Sequence, residues 1–158
     1  MRHATICFLL NRKENKILLG FKKRGFGAGK YNGLGGKVAD GETIEQAALR
    51  ELHEEAGVRA DKIRKVAELT FTFPHSHESC WDQIVHVFFA DSWKGEPTES
   101  EEMRPEWHDI SKLPFGMMWD DDKYWLPKVL EDKRIKASFS FKRDNQTIAS
   151  MKFGNLDE

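Results

Sequence analysis

The chain has 158 residues, the size of one compact domain, and 39% of them are apolar, including 11 Phe and 5 Trp, which is enough for a core and excludes wholesale disorder. Lys and Arg total 25 against 26 Asp and Glu, for a net charge of -1. No overall field therefore draws the chain to a nucleic-acid polymer or an acidic membrane.

In chain order, residues 4–10 (ATICFLL) predict a buried strand, 11–15 a polar turn and 16–20 (KILLG) a second short strand. The early apolar run falls far short of the ~20 residues that span a bilayer. With no cleavage site after it, no signal peptide and no membrane segment are expected. Residues 25–37 hold six glycines and predict a loop of unusual backbone freedom. Residues 42–56 predict one helix, with Gly41 before it, acidic residues in its first turn and Gly57 after it. Ile44, Ala47, Ala48, Leu52 and Ala56 give that helix its apolar face.

Residues 63–73 and 83–90 predict two more strands, 91–105 a polar acidic connection and 106–110 a short strand. Residues 120–132 predict a second helix, broken near Pro127. The segments 136–142 and 146–152 alternate as a hairpin with its turn at 143–146. Strands on both sides of a helix imply an α/β fold, a mixed sheet with helices packed on it. The two cysteines, Cys7 and Cys80, cannot make a disulfide framework. They read as small apolar residues in a reducing compartment, so cytoplasmic residence is expected. His75, His77 and Cys80 lack an evident fourth ligand for zinc.

The chemically informative segment is 36–58. Glu51, Glu54 and Glu55 lie three and four residues apart and crowd one side of the predicted helix. Such a cluster, with no Lys opposite it, suits a hard divalent cation such as Mg²⁺. Arg50, one turn before Glu54, can hold that carboxylate in place. A solvated acidic face is the bland alternative for Glu54 and Glu55 alone. The full spacing is far more specific: Gly, five residues, Glu, seven residues, then Arg-Glu-aliphatic-x-Glu-Glu-x-Gly-aliphatic. No P-loop spacing and no GxGxxG after a strand is present.

At these residues the chain resembles the Nudix hydrolase family, with every position of that family's box present from Gly36 to Val58. The resemblance implies an α/β/α sandwich with a mixed β-sheet, as one domain over 1–158. It implies hydrolysis of a nucleoside diphosphate linked to another moiety, with Mg²⁺ (or Mn²⁺) as cofactor. A cation is needed there because bare carboxylates repel a triphosphate; it also acidifies water for in-line attack on phosphorus. By the same resemblance Glu51, Glu54 and Glu55 are catalytic ligands, joined by Glu102 and the Gly35 carbonyl. The general base is either Glu51 or Glu55.

Residues 22–37, 99–105 and 114–125 extend the likeness to the animal branch of the family that acts on oxidised purine nucleoside triphosphates. That implies a monomer that cleaves 8-oxo-dGTP and 2-hydroxy-dATP to monophosphate and pyrophosphate, with no nucleic-acid polymer and no membrane as partner. Other modified or unmodified nucleotides, such as O6-methyl-dGTP, are the alternative substrates, and a non-catalytic nucleotide sensor is the alternative class. The residues carried over to substrate binding are Thr5, Lys22, Phe26 and Asn32, then Leu34, Gly35, Gly36 and Lys37. Trp119, Asp120, Asp121, Asp122 and Trp125 complete the set.

Physically, the segment 119–125 places aromatic faces that stack on a purine beside carboxylates that read its edge. Its bland reading is a surface turn with Asp as a helix N-cap. Adjacent carboxylates in a closed pocket need not both ionise, so Asp121 and Asp122 can exchange protonation between substrates. The segment 74–83 departs from the family pattern, and Gln83 stands where that branch carries a pocket methionine. A polar residue there can reshape base preference.

Overall fold

The computed structural model describes residues 1–77 and 81–157. Its elements are β1 (Arg2–Asn11), β2 (Lys16–Lys22), β3 (Tyr31–Asn32), β4 (Leu34–Lys37), α1 (Ile44–Ala56), β5 (Arg59–Ala60), β6 (Arg64–Thr72) and β7 (Gln83–Ala90). They continue with β8 (Trp93–Lys94), β9 (Met103–Asp109), α2 (Asp122–Leu130), β10 (Ile135–Phe141) and β11 (Ile148–Asn155).

The main sheet runs β11-β10-β6-β7-β1-β2-β3, with β4 also paired to β1 and β9 to β2. It is mixed: β1 runs parallel to β7 and β10 parallel to β6, while β6 and β7 are antiparallel. Alternation along β1 sorts the core into two layers. Phe8 and Leu10 join Phe89, Phe139 and the α2 residues Trp125, Leu126 and Val129. Cys7 and Leu9 point the other way and join Phe88 with Ala48, Leu52 and Ala56 of α1. The sheet is thus covered by one helix on each face, the α/β/α arrangement expected. Cys7 is fully buried in the α1 layer, where burial pushes its thiol up to about 12. Cys80 lies outside the described residues. Among the described residues no helix is long and apolar enough to cross a membrane.

Several local expectations change. The glycine-rich segment is not wholly loop: β4 lies within it and pairs antiparallel with β1, Gly35 opposite Ile6 and Gly36 opposite Thr5. α1 starts at Ile44 behind Thr43, not at residue 42. Thr43 accepts from the Gln46 N–H and its own N–H is capped by the Gln46 side chain, a reciprocal box of about 1 kcal/mol. Gly57 closes the helix in the left-handed region, φ 72°. The strand expected at 106–110 begins at Met103, because it pairs along all of β2. α2 runs through Pro127 without a break. Trp125, Leu126, Val129 and Leu130 are buried around that point, which outweighs one missing backbone bond. The last hairpin forms as expected, its turn held by Asp144 accepting from the Gln146 and Thr147 N–H groups.

Candidate active site

α1 and β4 build the acidic half of the site. Glu55 is 7% exposed and its Oε1 accepts the Gly35 N–H at 2.6 Å. Burial first, then the charge of Glu51, pushes its carboxyl up to about 8. Glu51 lies directly beneath β4: a Cβ on Gly36 would sit 2.8 Å from its carboxyl carbon and Oε1. Only glycine lets the strand ride this close. Glu54 is more open, with a side chain 57% exposed.

Arg50 spans the cluster. Its Nε donates to Glu42 at 2.6 Å and its Nη2 donates again to Glu42 at 3.0 Å. Nη1 donates to Glu51 at 2.9 Å and to Glu54 at 3.2 Å, and Nη2 also reaches the Lys37 carbonyl at 3.1 Å. The expectation of an uncompensated carboxylate cluster is therefore corrected: one guanidinium neutralises part of it and ties the turn before α1 to the helix. Glu42 is held well below the usual carboxylate range by that pairing. Glu102 stands on the approach to β9, 3.7 Å from Arg24, and its charge adds to the upward push on Glu55. Among the described residues no three His, Cys, Asp or Glu side chains form a ready-made ion cage. The donor set nevertheless fits a divalent cation. It is all hard oxygen, and its most buried member, Glu55, is held uncharged by burial and then by the like charge of Glu51, a conflict that a cation at this point would relieve.

A cavity of about 170 Å³ opens on the other side of β4. It gathers Thr5, Lys22, Phe26, Asn32, Gly35, Gly36, Trp119, Asp121, Asp122 and Trp125 from the residues expected at the substrate. Three expected residues lie elsewhere. Leu34 is fully buried in the α1 layer, because it pairs with Cys7 and shares its face. Lys37 is exposed at the strand end. Asp120 turns away to accept the Ile148 N–H at 2.9 Å and to pair with Lys123 at 2.9 Å. The sequence reading missed the apolar floor: Leu69 and Phe71 of β6, Phe73 just beyond it, Val85 of β7 and Phe141 of β10 also line the cavity. Their period of two was the available signal. It also missed Lys30, whose Nζ lies 5.4 Å from the Trp119 ring centroid. Trp119 in turn lies 5.3 Å from Phe26 and 6.0 Å from Phe141, ring to ring. His75 and His77 are exposed.

The cavity's polar end is the start of α2. Asp121 sits at the N-cap position, yet its side chain makes no capping bond. Its Oδ2 instead accepts the Trp125 Nε1–H at 2.7 Å. The surface-turn reading is thereby overturned: Asp121 and Asp122 are 3% and 2% exposed. Burial raises Asp121 to about 6. Burial and the neighbouring Asp121 charge raise Asp122 well above its ordinary value, and its Oδ2 has no hydrogen-bond partner. The pair therefore holds a proton at neutral pH, presenting a donor beside an acceptor. The Thr5 hydroxyl is also buried without a partner at this cavity.

The fold, the loop–helix carboxylate cluster and the adjoining cavity are those of a Nudix hydrolase. The description "NUDIX domain" matches residues 1–129, and the chain belongs to that family, whose members typically use divalent metal ions. The chain is 54% identical over 146 residues to the oxidized purine nucleoside triphosphate hydrolase of Danio rerio, covering 92% of this chain and 91% of that one. It is 49% identical over 145 residues to the protein of the same name from Mus musculus, covering 92% and 90%. A MutT protein crystal structure from Bacillus halodurans superposes with a TM-score of 0.82 at 21% identity, covering 97% of each chain.

Proposed function

We propose that this protein is an Mg²⁺-dependent diphosphatase that cleaves oxidised purine nucleoside triphosphates to the monophosphate and pyrophosphate. The observation that carries the reading is the buried, proton-holding Asp121 and Asp122 pair facing a cavity whose rim includes Gly35 and Gly36, the same residues that contact Glu55 and Glu51. One strand thus joins a base-reading pocket to an acidic phosphate-handling site. The resemblance of most of the chain to hydrolases of oxidised purine nucleotides supports the substrate class. A nucleotide pool in the cytoplasm is the proposed setting, with a monomer forming one domain over 1–158. A sheet running continuously from β11 to β3 supports the single domain.

Glu51, Glu54, Glu55, Glu102 and the Gly35 carbonyl would hold Mg²⁺, which when bound supplies the positive charge that a triphosphate and an attacking water require. The chain's own residues do the rest. Trp119 offers its ring to the base, with Lys30 against it and Phe26 beside it. The ionised member of the Asp pair accepts from a base N–H, and the protonated member donates to a base oxygen or nitrogen. Asn32 accepts the Gly33 N–H through its own Oδ1 at 2.9 Å, which leaves its amide N–H groups for the base. Lys22 lines the mouth and meets the triphosphate. Glu51 or Glu55, in its ionised form, takes the proton of the attacking water, with Glu55 seated on the Gly35 N–H and Arg50 fixing Glu51 and Glu54.

Pyrophosphate release from 8-oxo-dGTP, 2-hydroxy-dATP and dGTP, with Mg²⁺ and in parallel, tests the reading. A preference of tenfold or more for the oxidised bases, ~1.4 kcal/mol in the transition state, is expected. Equal turnover of dGTP would remove the substrate assignment and leave the Nudix site.

A further inference from the structure

Gln83 opens β7, opposite Phe71 of β6 and Arg2 of β1. Two residues on, Val85 shares its side of the strand and lines the same cavity. Among the described side chains that β6, the residue just beyond it, β7 and β10 contribute to this wall, the others are Leu69, Phe71, Phe73, Val85 and Phe141. All are apolar, so Gln83 is the one polar group set into an aromatic and aliphatic floor. The neighbouring Asp82 is already engaged, accepting the Phe73 N–H at 2.8 Å. No such bond engages the Gln83 carboxamide within the described residues, and the residue is half-buried at the cavity wall, so its amide is free to meet a bound base.

We infer that Gln83 is a specificity-determining residue that hydrogen-bonds the base and sets the pocket against purines alkylated on their polar edge. The inference rests on the proposed function and narrows it. A carboxamide offers two donors and one acceptor and does not titrate, so it complements the Asp pair without competing for the pair's proton. An oxidised purine carries only hydrogen-bonding groups along its edge. An O6- or N6-methyl purine replaces one of those directions with a methyl group. Facing Gln83, that methyl strips water from the amide and returns nothing. A site built to hydrogen-bond rejects a mute ligand far more strongly than an apolar site rejects a small change in shape. With methionine at 83 the same wall would take a methyl by contact alone.

The test compares wild type with Gln83→Met and Gln83→Leu, using quenching of intrinsic tryptophan fluorescence by 8-oxo-dGMP, O6-methyl-dGMP, N6-methyl-dAMP and dGMP. Product nucleotides read the pocket without requiring turnover, and thermal melting verifies folding. In both variants the affinity of O6-methyl-dGMP relative to 8-oxo-dGMP should rise about tenfold. N6-methyl-dAMP should move in the same direction. Ratios within about twofold of wild type in either folded variant overturn the inference, as does a fall. The parent reading fails separately: wild-type protein that binds dGMP as tightly as 8-oxo-dGMP removes the oxidised-base assignment, while the methylated ratios still decide the role of Gln83. Should one variant fail to fold, the other decides.

Discussion

Replacing Asp122 by Asn removes one proton-binding group from the buried pair, and its effect on stability must change with pH in a way that packing cannot imitate. In the folded protein Asp122 keeps its proton at neutral pH, because its carboxyl is buried beside the Asp121 charge. In the unfolded chain the same group ionises near 3.9. Above that value the folded state carries about one more proton than the unfolded state, so stability falls as pH rises, by about 1.36 kcal/mol per unit. The contribution is fully present below the unfolded value and is lost progressively toward the raised folded one. From pH 5 to pH 7 the wild type therefore loses stability through this group, by at most about 2.7 kcal/mol, the ceiling for one proton over two units. The amide of the variant does not titrate and loses none of it. Asp121, raised to about 6, titrates in the same window in the wild type. The quantity to compare is therefore the stability difference between the two proteins, not either curve alone. Urea unfolding at pH 5 and 7, with matched m-values, measures it. The Asp122→Asn protein should gain on the wild type over that interval, by up to about 2.7 kcal/mol, whatever constant offset its packing introduces. Parallel curves would refute the buried proton. Where the pair also selects substrates, the ratio of 8-oxo-dGTP to 2-hydroxy-dATP turnover should vary with pH in the wild type and flatten in the variant.

Glu51→Gln or Glu55→Gln, whichever removes the general base, should lower kcat by about 10²- to 10⁴-fold while nucleotide affinity at fixed Mg²⁺ stays near wild type; pre-steady-state turnover alongside equilibrium binding measures both. Arg50→Ala removes donors from Glu42, Glu51, Glu54 and the Lys37 carbonyl together. It should cost about 1–3 kcal/mol in chemical denaturation, and more at low salt than at high, because the carboxylates it leaves behind repel. Phe141 is 1% exposed and stacks on Phe73 with ring centroids 4.5 Å apart and planes 3° apart. Phe141→Ala should cost about 3–5 kcal/mol and raise KM for 8-oxo-dGTP by enlarging the floor of the cavity.

Legibility in the sequence tracked how local each cause was. α1 was legible from its apolar spacing and Gly57, both of which act within a few residues. β4 was not, because glycines carry no strand signal of their own. Gly35 and Gly36 become a strand only through their pairing with Ile6 and Thr5, thirty residues earlier. Leu34 was misassigned for the same reason: its partner Cys7 decides that it faces α1 and not the cavity. The three glutamates were legible as a cluster, since i, i+3 and i+4 positions meet on any helix. Arg50 reaching back eight residues to Glu42 was not, because that contact depends on the turn ahead of the cap. Asp121 and Asp122 read equally well as a solvated cap or as a pocket. What decides between them is burial at the cavity, and residue type alone predicts exposure for aspartate.

The two halves of the site are separable in mutation although they are joined in space. Glu51, Glu54 and Glu55 belong to α1, and the Asp pair belongs to α2 on the opposite face of the sheet. They meet at β4, whose Gly35 gives its N–H to Glu55 while its backbone edges the cavity. A substitution in the cavity floor therefore changes which base is held without altering the carboxylates that handle the phosphates. A substitution at Gly35 or Gly36 disturbs both at once: a side chain on Gly35 would collide with the Thr5 carbonyl, and one on Gly36 with the Glu51 carboxyl. Base preference is thus free to drift through positions such as 83, while the chemistry stays fixed by a strand that admits no side chain at Gly35 or Gly36.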